Sequence, residues 1–455
     1  MTLSYHEALE YVHRLLNYET QQPPGYTPEV ISLDRPRALL AALADPQERY
    51  PIIHVTGTKG KGSVSALCFS ALNAAGYKTG FYLSPHLQEF RERFRIGDQL
   101  ILEATFAAIV TDMQPHIEAI PRLTYWEVIT AIAYEYFARE HVDVAVVEVG
   151  LGGRLDATNV IKYPVVSVIT SLSFDHMYLL GNTLPEIAYE KAGIIKPNAP
   201  VVSAPQRADA LETLTRIAGE RHAPLTLVGQ EWDGEVLHTD LDGQQIRVTH
   251  AGKVEMYHTP LLGPHQAINL TVARAALEQV RMAGLEISDQ ALQAGFASVN
   301  WPGRFEIVSR APYLILDSAH NAESAQRLAE TIRVLFPDQR LTLLFGAFND
   351  KDVAGMYAAL LPLTDHLILI PARSPRAFSV EVLAEKATEA GYSGKLYRAA
   401  SVDTALETLR QLQSPLTLAT GSLSIVGALR DALGLPVMRA VYLDHKPTLQ
   451  KSAEG

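Results

Sequence analysis

Ile52-Ile53-His54-Val55-Thr56-Gly57-Thr58-Lys59-Gly60-Lys61-Gly62-Ser63-Val64 runs from an apolar strand through a glycine-rich, lysine-bearing turn into a helix. Glycines let several backbone N–H groups converge on one anion, and the helix that follows presents its positive end to the same point. Thr58, Lys59, Gly60, Lys61, Gly62 and Ser63 are therefore candidates to cradle nucleotide phosphates. Lys61 can neutralise a phosphate oxygen, and the Ser63 hydroxyl can reach a magnesium ion. Lys59 either adds a second cation or points to solvent. The spacing departs from the common G-x-x-x-x-G-K-[ST] loop: Gly62 separates Lys61 from Ser63, and Val55 stands where the first glycine would be. The helix continues through Ala66, Leu67, Phe69 and Leu72 to Gly76, a residue type suited to a C-terminal cap.

Outward from this stretch, apolar β-branched runs alternate with amphipathic helical segments. Strands are predicted at 51–56, 77–83, 142–149, 165–170, 200–204, 313–316, 341–345, 366–370 and 416–420. This alternation is that of α/β domains with parallel, doubly wound sheets. Residues 225–256 differ, with alternating segments around Asp233-Gly234 and Asp242-Gly243 that predict short β-hairpins added to the first domain. Asn300-Trp301-Pro302-Gly303-Arg304 joins a rigid turn to a strand predicted at 305–309, and the boundary is placed there, giving domains 1–300 and 301–455. The polar tail 444–455 is expected to be loose.

At 455 residues the chain is too long for one ordinary core, and 47% apolar with 20% charged residues describes a globular protein. A formal charge of -11 argues against a nucleic-acid-binding surface. The lone cysteine, Cys68, excludes an intrachain disulfide and a Cys-based zinc site. No basic-then-apolar leader opens the chain and no uncharged apolar run is long enough for a bilayer, so a cytoplasmic protein without membrane partners is expected.

A second motif is Val144-Ala145-Val146-Val147-Glu148-Val149-Gly150-Leu151-Gly152-Gly153-Arg154-Leu155-Asp156-Ala157-Thr158-Asn159. A carboxylate at the carboxyl end of an all-apolar strand stands where open α/β sheets bind ligands, so Glu148 is a candidate magnesium ligand. The plainer reading pairs it with Arg154 or solvent. Asp175-His176 follows another strand and reads as a structural pair or a cation ligand. Lys191 reads as a last-turn cation favoured by the helix dipole. Ser84 lies in a polar turn, and Thr124-Tyr125-Trp126-Glu127 reads as a capped helix start. Asn269 is near a helix start, Arg304 follows the hinge, and Asp317 precedes Ser318-Ala319-His320-Asn321 at a strand-to-helix junction.

The order Gly-Thr-x-Gly-Lys-Gly-Ser, the stretch Glu148 to Asn159 and the segments around 84, 124, 176, 191, 269, 304, 317, 349 and 421 together resemble the folylpolyglutamate synthase and dihydrofolate synthase branch of the Mur-ligase superfamily. The resemblance spans about 32–428 in one unbroken order. It implies an N-terminal P-loop ATPase domain with a mainly parallel, doubly wound sheet and a small β extension, followed by a C-terminal Rossmann-like α/β domain. It also implies ATP contacts at Asn269, Arg304 and Asp317, with His320 a nearby catalytic candidate. Magnesium would be held by Ser84 and Glu148, and a second ion by His176 and a Lys191 carbamylated by carbon dioxide. Thr124, Tyr125, Trp126, Glu127, Leu155, Asp156 and Ala157 would lie at the pterin substrate. The chain departs from the family with Lys59 where many bacterial members carry asparagine, Trp126 for the usual phenylalanine, and Ala322 for the usual proline.

The implied reaction is ATP-dependent glutamate addition to a folate carboxylate, and to dihydropteroate, through an acyl phosphate, with Lys61 offsetting phosphoryl charge and the hinge at 300–303 closing the domains. A monomer is expected. The alternatives are another amide ligase of the superfamily or a nucleotide-dependent switch without ligase chemistry. The residues leave open which pterin is accepted and how many glutamates are added.

Overall fold

The computed structural model describes residues 2–19, 24–27, 30–374 and 376–437; the tail 444–455 and part of 18–28 lie outside them. Eight strands form the first sheet: β1 (Ile52–Thr56), β2 (Thr79–Tyr82), β3 (Phe94–Ile96), β4 (Gln99–Leu100), β5 (Val144–Glu148), β6 (Val166–Ile169), β7 (Val201–Ser203) and β8 (Leu225–Leu227). Their order is β4-β3-β2-β5-β1-β6-β7-β8. All neighbours from β2 to β8 are parallel, and only the β2–β3 and β3–β4 pairs are antiparallel. The central strands β1 and β5 are buried at every residue, as continuous apolar runs covered on both faces must be. Their carboxyl ends and that of β6 open on the same side, so residues 57–63, 148–152 and 170–176 meet there.

The β extension is a single three-stranded antiparallel sheet of β9 (Trp232–Asp240), β10 (Gly243–His250) and β11 (Lys253–Thr259). This corrects the hairpin prediction in two ways. Residues 225–227 join the large sheet as β8, and Asp233-Gly234 lies inside β9 instead of at a turn. Gly234 is there for close approach, because a Cβ would collide with the Thr271 side chain on the helix His265–Met282.

The second domain is a six-stranded sheet of β12 (Glu306–Arg310), β13 (Tyr313–Leu316), β14 (Leu341–Phe345), β15 (Thr364–Leu369), β16 (Lys395–Arg398) and β17 (Leu416–Thr420), ordered β12-β13-β17-β14-β15-β16. Only β12 is antiparallel to its neighbour. The strands missing from the sequence reading are β3, β4 and β16, which are short or carry basic residues. Among the described residues, no helix is long and apolar enough to cross a membrane.

Candidate active site

The turn after β1 owes its shape to two glycines. Gly57 has φ +148°, and a Cβ there would collide with the Thr170 hydroxyl at the end of β6. Gly60 has φ +90° at the start of the helix Lys61–Ala74, where a Cβ would collide with the Asn269 amide oxygen. Only glycine adopts that backbone at such close range without strain. The Thr58 and Lys59 amides each donate to the Ser171 carbonyl at 3.0 Å, which staples the turn to the segment after β6.

Two lysines converge on the carbonyl of Gly57: Lys61 Nζ donates at 3.3 Å and Lys191 Nζ at 2.8 Å. Lys191 ends the helix Leu184–Ala192 and is buried. Burial, and then the nearby Lys61 ammonium, pull its pKa down to about 7, so much of it is a neutral amine at neutral pH. Glu148, at the end of β5 and only 5% exposed, accepts the backbone N–H of Ser84. Burial lifts its pKa to about 7 against the pull of Lys61 and Arg304. The pairing with Arg154 is ruled out by geometry, since Arg154 forms a two-pronged ion pair with Glu190 at 2.8 and 3.0 Å.

Lys59 does not point to solvent; it lines the same cleft as the rest of the loop. Its ammonium bonds Asp175 Oδ2 at 3.0 Å, with both side chains largely buried. Burial opposes ionisation of Asp175, but Lys59, followed by His176, His320 and Lys351, holds its carboxyl well below the usual range. Asn321 of the second domain donates to the same oxygen at 3.3 Å, so one carboxylate links the phosphate loop to the other domain. His176 adopts φ +50° and keeps its ring nitrogen 3.9 Å from Asp175, beyond hydrogen-bond reach.

From the second domain, Asp317 accepts the Phe305 and Ala319 amides at 2.8 Å each, and burial pushes its carboxyl up against the pull of the nearby Arg304. His320 Nδ1 lies 2.9 Å from the Ser318 carbonyl and so carries the proton, which leaves Nε2 as the acceptor. Burial and the Lys59 charge keep this imidazole neutral. Residues 57–63, Ser84, Glu148, His176, Lys191, Asn269, Arg304, Asp317 and His320 all line one cleft between the domains.

The stretch 124–127 and residues 155–157 do not line that cleft. Thr124 and Glu127 form the expected capping box, with Glu127 also paired to Arg35 at 2.7 Å, and Tyr125 is buried in the core. Leu155 and Ala157 are buried as well. Trp126 stacks on Tyr82, and its indole N–H donates to Asp156 Oδ2 at 3.2 Å, beneath the Gly150 backbone that does reach the cleft. The same Asp156 oxygen accepts the Leu151 amide, and the other accepts from Thr158.

Domain models match on both sides of this cleft: the Mur ligase middle domain at residues 55–277 and the Mur ligase glutamate ligase domain at 303–423. The dihydrofolate synthase/folylpolyglutamate synthase of Bacillus subtilis is 36% identical over 388 residues, covering 83% of this chain and 87% of its own. The chain belongs to the folylpolyglutamate synthase/dihydrofolate synthase family of Mur ligases. Solved structures of that family superimpose on it. Mycobacterium tuberculosis folylpolyglutamate synthase complexed with ADP gives a TM-score of 0.85 at 33% identity, over 95% of this chain and 99% of that one. Escherichia coli FolC in complex with DHPP and ADP gives 0.83 at 32%, over 95% and 98%.

This folylpolyglutamate synthase family member also lines its cleft with residues that sequence reasoning missed. Ser324, Arg327, Leu328 and Thr331 face it from the helix Ala322–Leu335, and His265 and Gln266 face it from the start of another. The spacing i, i+3, i+4, i+7 of the first four was a readable signal of one helix face. Nothing in the sequence said that this face would meet the first domain.

Proposed function

We propose that the protein is an ATP-dependent ligase that joins L-glutamate to the carboxylate of a folate, and also to dihydropteroate, in the cytoplasm and as a monomer without membrane or nucleic-acid partners. The observation that carries this reading is the single cleft in which the phosphate loop, Glu148 and the second domain's Arg304, Asp317 and His320 converge. We place the domain boundary in the segment 300–303, between the last helix of the first domain and β12.

A carboxylate is a poor acyl donor because oxide is a poor leaving group. Its oxygen would attack the terminal phosphorus of ATP, releasing ADP and forming an acyl phosphate; the neutral amine of glutamate would then attack the carbonyl carbon, expelling phosphate and losing a proton. Lys61 and Arg304 offset charge on the phosphoryl group in flight, and a cleft closed by two domains keeps water from the acyl phosphate. The Nε2 lone pair of His320 is too weakly basic in its buried setting to hold a proton at neutral pH, so its role is to accept a hydrogen bond and orient a donor.

The donor set fits magnesium. A hard cation that binds through one carboxylate together with phosphate oxygens and water needs no cage of acidic residues, and no cluster of three His, Cys, Asp or Glu occurs among the described residues. Glu148 with Ser84 would hold it, where it supplies charge neutralisation to the phosphates. The neutral fraction of Lys191 suits addition of carbon dioxide with loss of one proton, and the resulting carbamate with His176 would hold a second ion.

Purified protein with Mg-ATP and glutamate, given dihydropteroate in one tube and tetrahydrofolate in another, is expected to release phosphate in both and to add the mass of glutamate to each pterin. Turnover in one tube alone would make the enzyme monofunctional. Phosphate release independent of pterin and glutamate would return the chain to the nucleotide-switch reading.

A further inference from the structure

Behind the phosphate loop, on the face of the helix Lys61–Ala74 turned away from the cleft, lies a second, smaller pocket between that helix, β2–β3 and the hinge, lined by Phe69, Asn73, Phe81, Arg95, Ser298 and Trp301. Arg95 is 2% exposed. It stands opposite Phe81 in the β2–β3 ladder, with its guanidinium 5.1 Å above the Phe69 ring. Among the described residues its Nε has no hydrogen-bond partner and the side chain forms no ion pair. The two carboxylates that act on it at longer range, Glu92 and Asp98, are engaged elsewhere: Glu92 accepts the amides of Leu87, Gln88 and Glu89, and Asp98 accepts from Gln99. The pocket is also lined by Trp301, whose buried Nε1–H has no hydrogen-bond partner. Aromatic faces soften the isolation of a cation, but they do not satisfy N–H groups. A buried charge with no counter-charge in contact is costly, and here it coincides with a cavity and a second unpaired donor.

We propose that this pocket is a binding site for a small inorganic anion, a halide or orthophosphate, held by the Arg95 guanidinium and the Trp301 indole N–H. The position gives the anion a consequence. Trp301 belongs to the hinge segment, and its ring lies so close to the start of the phosphate-loop helix that a Cβ on Gly62 would be 2.7 Å from it. An anion that fixes the indole therefore fixes the hinge against the phosphate loop, from the side opposite the nucleotide.

The test uses the full chain with saturating Mg-ADP, so that the phosphate loop is already filled. Melting temperature is followed while chloride, bromide or phosphate replaces gluconate at constant ionic strength, and crystals soaked in bromide are examined for anomalous scattering. A saturable rise in melting temperature is expected for the wild type, together with a bromide peak within hydrogen-bond distance of Arg95 and Trp301. Saturation by phosphate alone or by halide alone would name the source. The rise should vanish in Arg95→Met, and about tenfold more anion should be needed in Trp301→Phe, which keeps the ring and loses the donor. In gluconate, Arg95→Met should be at least as stable as the wild type, because the uncompensated charge has gone. Should Arg95→Met fail to fold, Trp301→Phe and the bromide map decide. An equal rise in wild type and variants, or bromide only elsewhere, overturns the proposal.

Discussion

Glu148 sits where burial makes ionisation costly, and that cost can be measured. Its carboxyl titrates at about 7 in the folded chain against an ordinary 4.5. Between those values the folded state holds a proton that the unfolded state has lost, so without metal the stability falls as pH rises through the window. Glu148→Gln removes the titration. In EDTA the variant should match the wild type near pH 4.5 and exceed it by on the order of 3 kcal/mol above pH 7, with denaturant curves at both ends as the check. A difference that does not change with pH would refute the assignment. Turnover with Mg-ATP should fall in the same variant. Asp175 behaves oppositely. Its folded value is depressed, so the stabilisation it provides is present above the ordinary carboxyl value and is lost as pH falls below it. Lys59→Asn strips this largely buried carboxylate of its ammonium and should cost about 3 kcal/mol near pH 7 in urea denaturation. A loss below about 0.5 kcal/mol would mean that the pair is no better than a surface one.

At the scale of elements, the sequence was most readable where backbone chemistry and burial agree. Runs such as Val144–Glu148 and Leu416–Thr420 are apolar because they lie inside parallel sheets, and they stood out for that reason. Thr124 and Glu127 announced a helix start and form one. Asp233-Gly234 misled because glycine serves turns and close packing alike, and only the helix beside it, which begins at His265, tells them apart. The phosphate loop was legible as a loop, whereas the destination of Lys59 was not, since Asp175 lies 116 positions away. Two predictions belong to elements. Gly60→Ala must place a Cβ at φ +90° against Asn269, so nucleotide affinity measured by titration calorimetry should drop at least about tenfold while the fold persists. Thr124→Ala removes one half of a buried capping box and should lower stability by about 1 kcal/mol in chemical denaturation, leaving the nucleotide site untouched.

Across the whole molecule the cleft is useful only if the two sheets hold a fixed relation, and one apolar side chain packs across the joint between them. Leu87 follows the Ser84 turn of the first domain, yet it is buried in the second domain's core with Leu316, Leu344, Ile425 and Val426. Gly427 makes room for it, because a Cβ there would collide with the Leu87 carbonyl. Gln88 then receives Arg430 Nε at 2.8 Å and donates to Asp431 at 3.0 Å, which closes the joint with polar contacts. Because Ser84 is only three residues from Leu87, the joint and the Ser84 turn are one mechanical unit. Leu87→Ala leaves the phosphate loop and Glu148 intact and empties the joint, at a cost of about 3 kcal/mol by cavity formation. ADP affinity of the first domain should therefore survive within about threefold, while amide formation should fall by at least about tenfold, because the acyl phosphate is no longer shielded and the amine no longer aligned. Small-angle scattering should report a larger radius of gyration with Mg-ADP than the wild type has. If amide formation, scattering and ADP binding all stay at wild-type values, the leucine is packing alone and the domains owe their alignment to the Asp175–Asn321 link across the cleft.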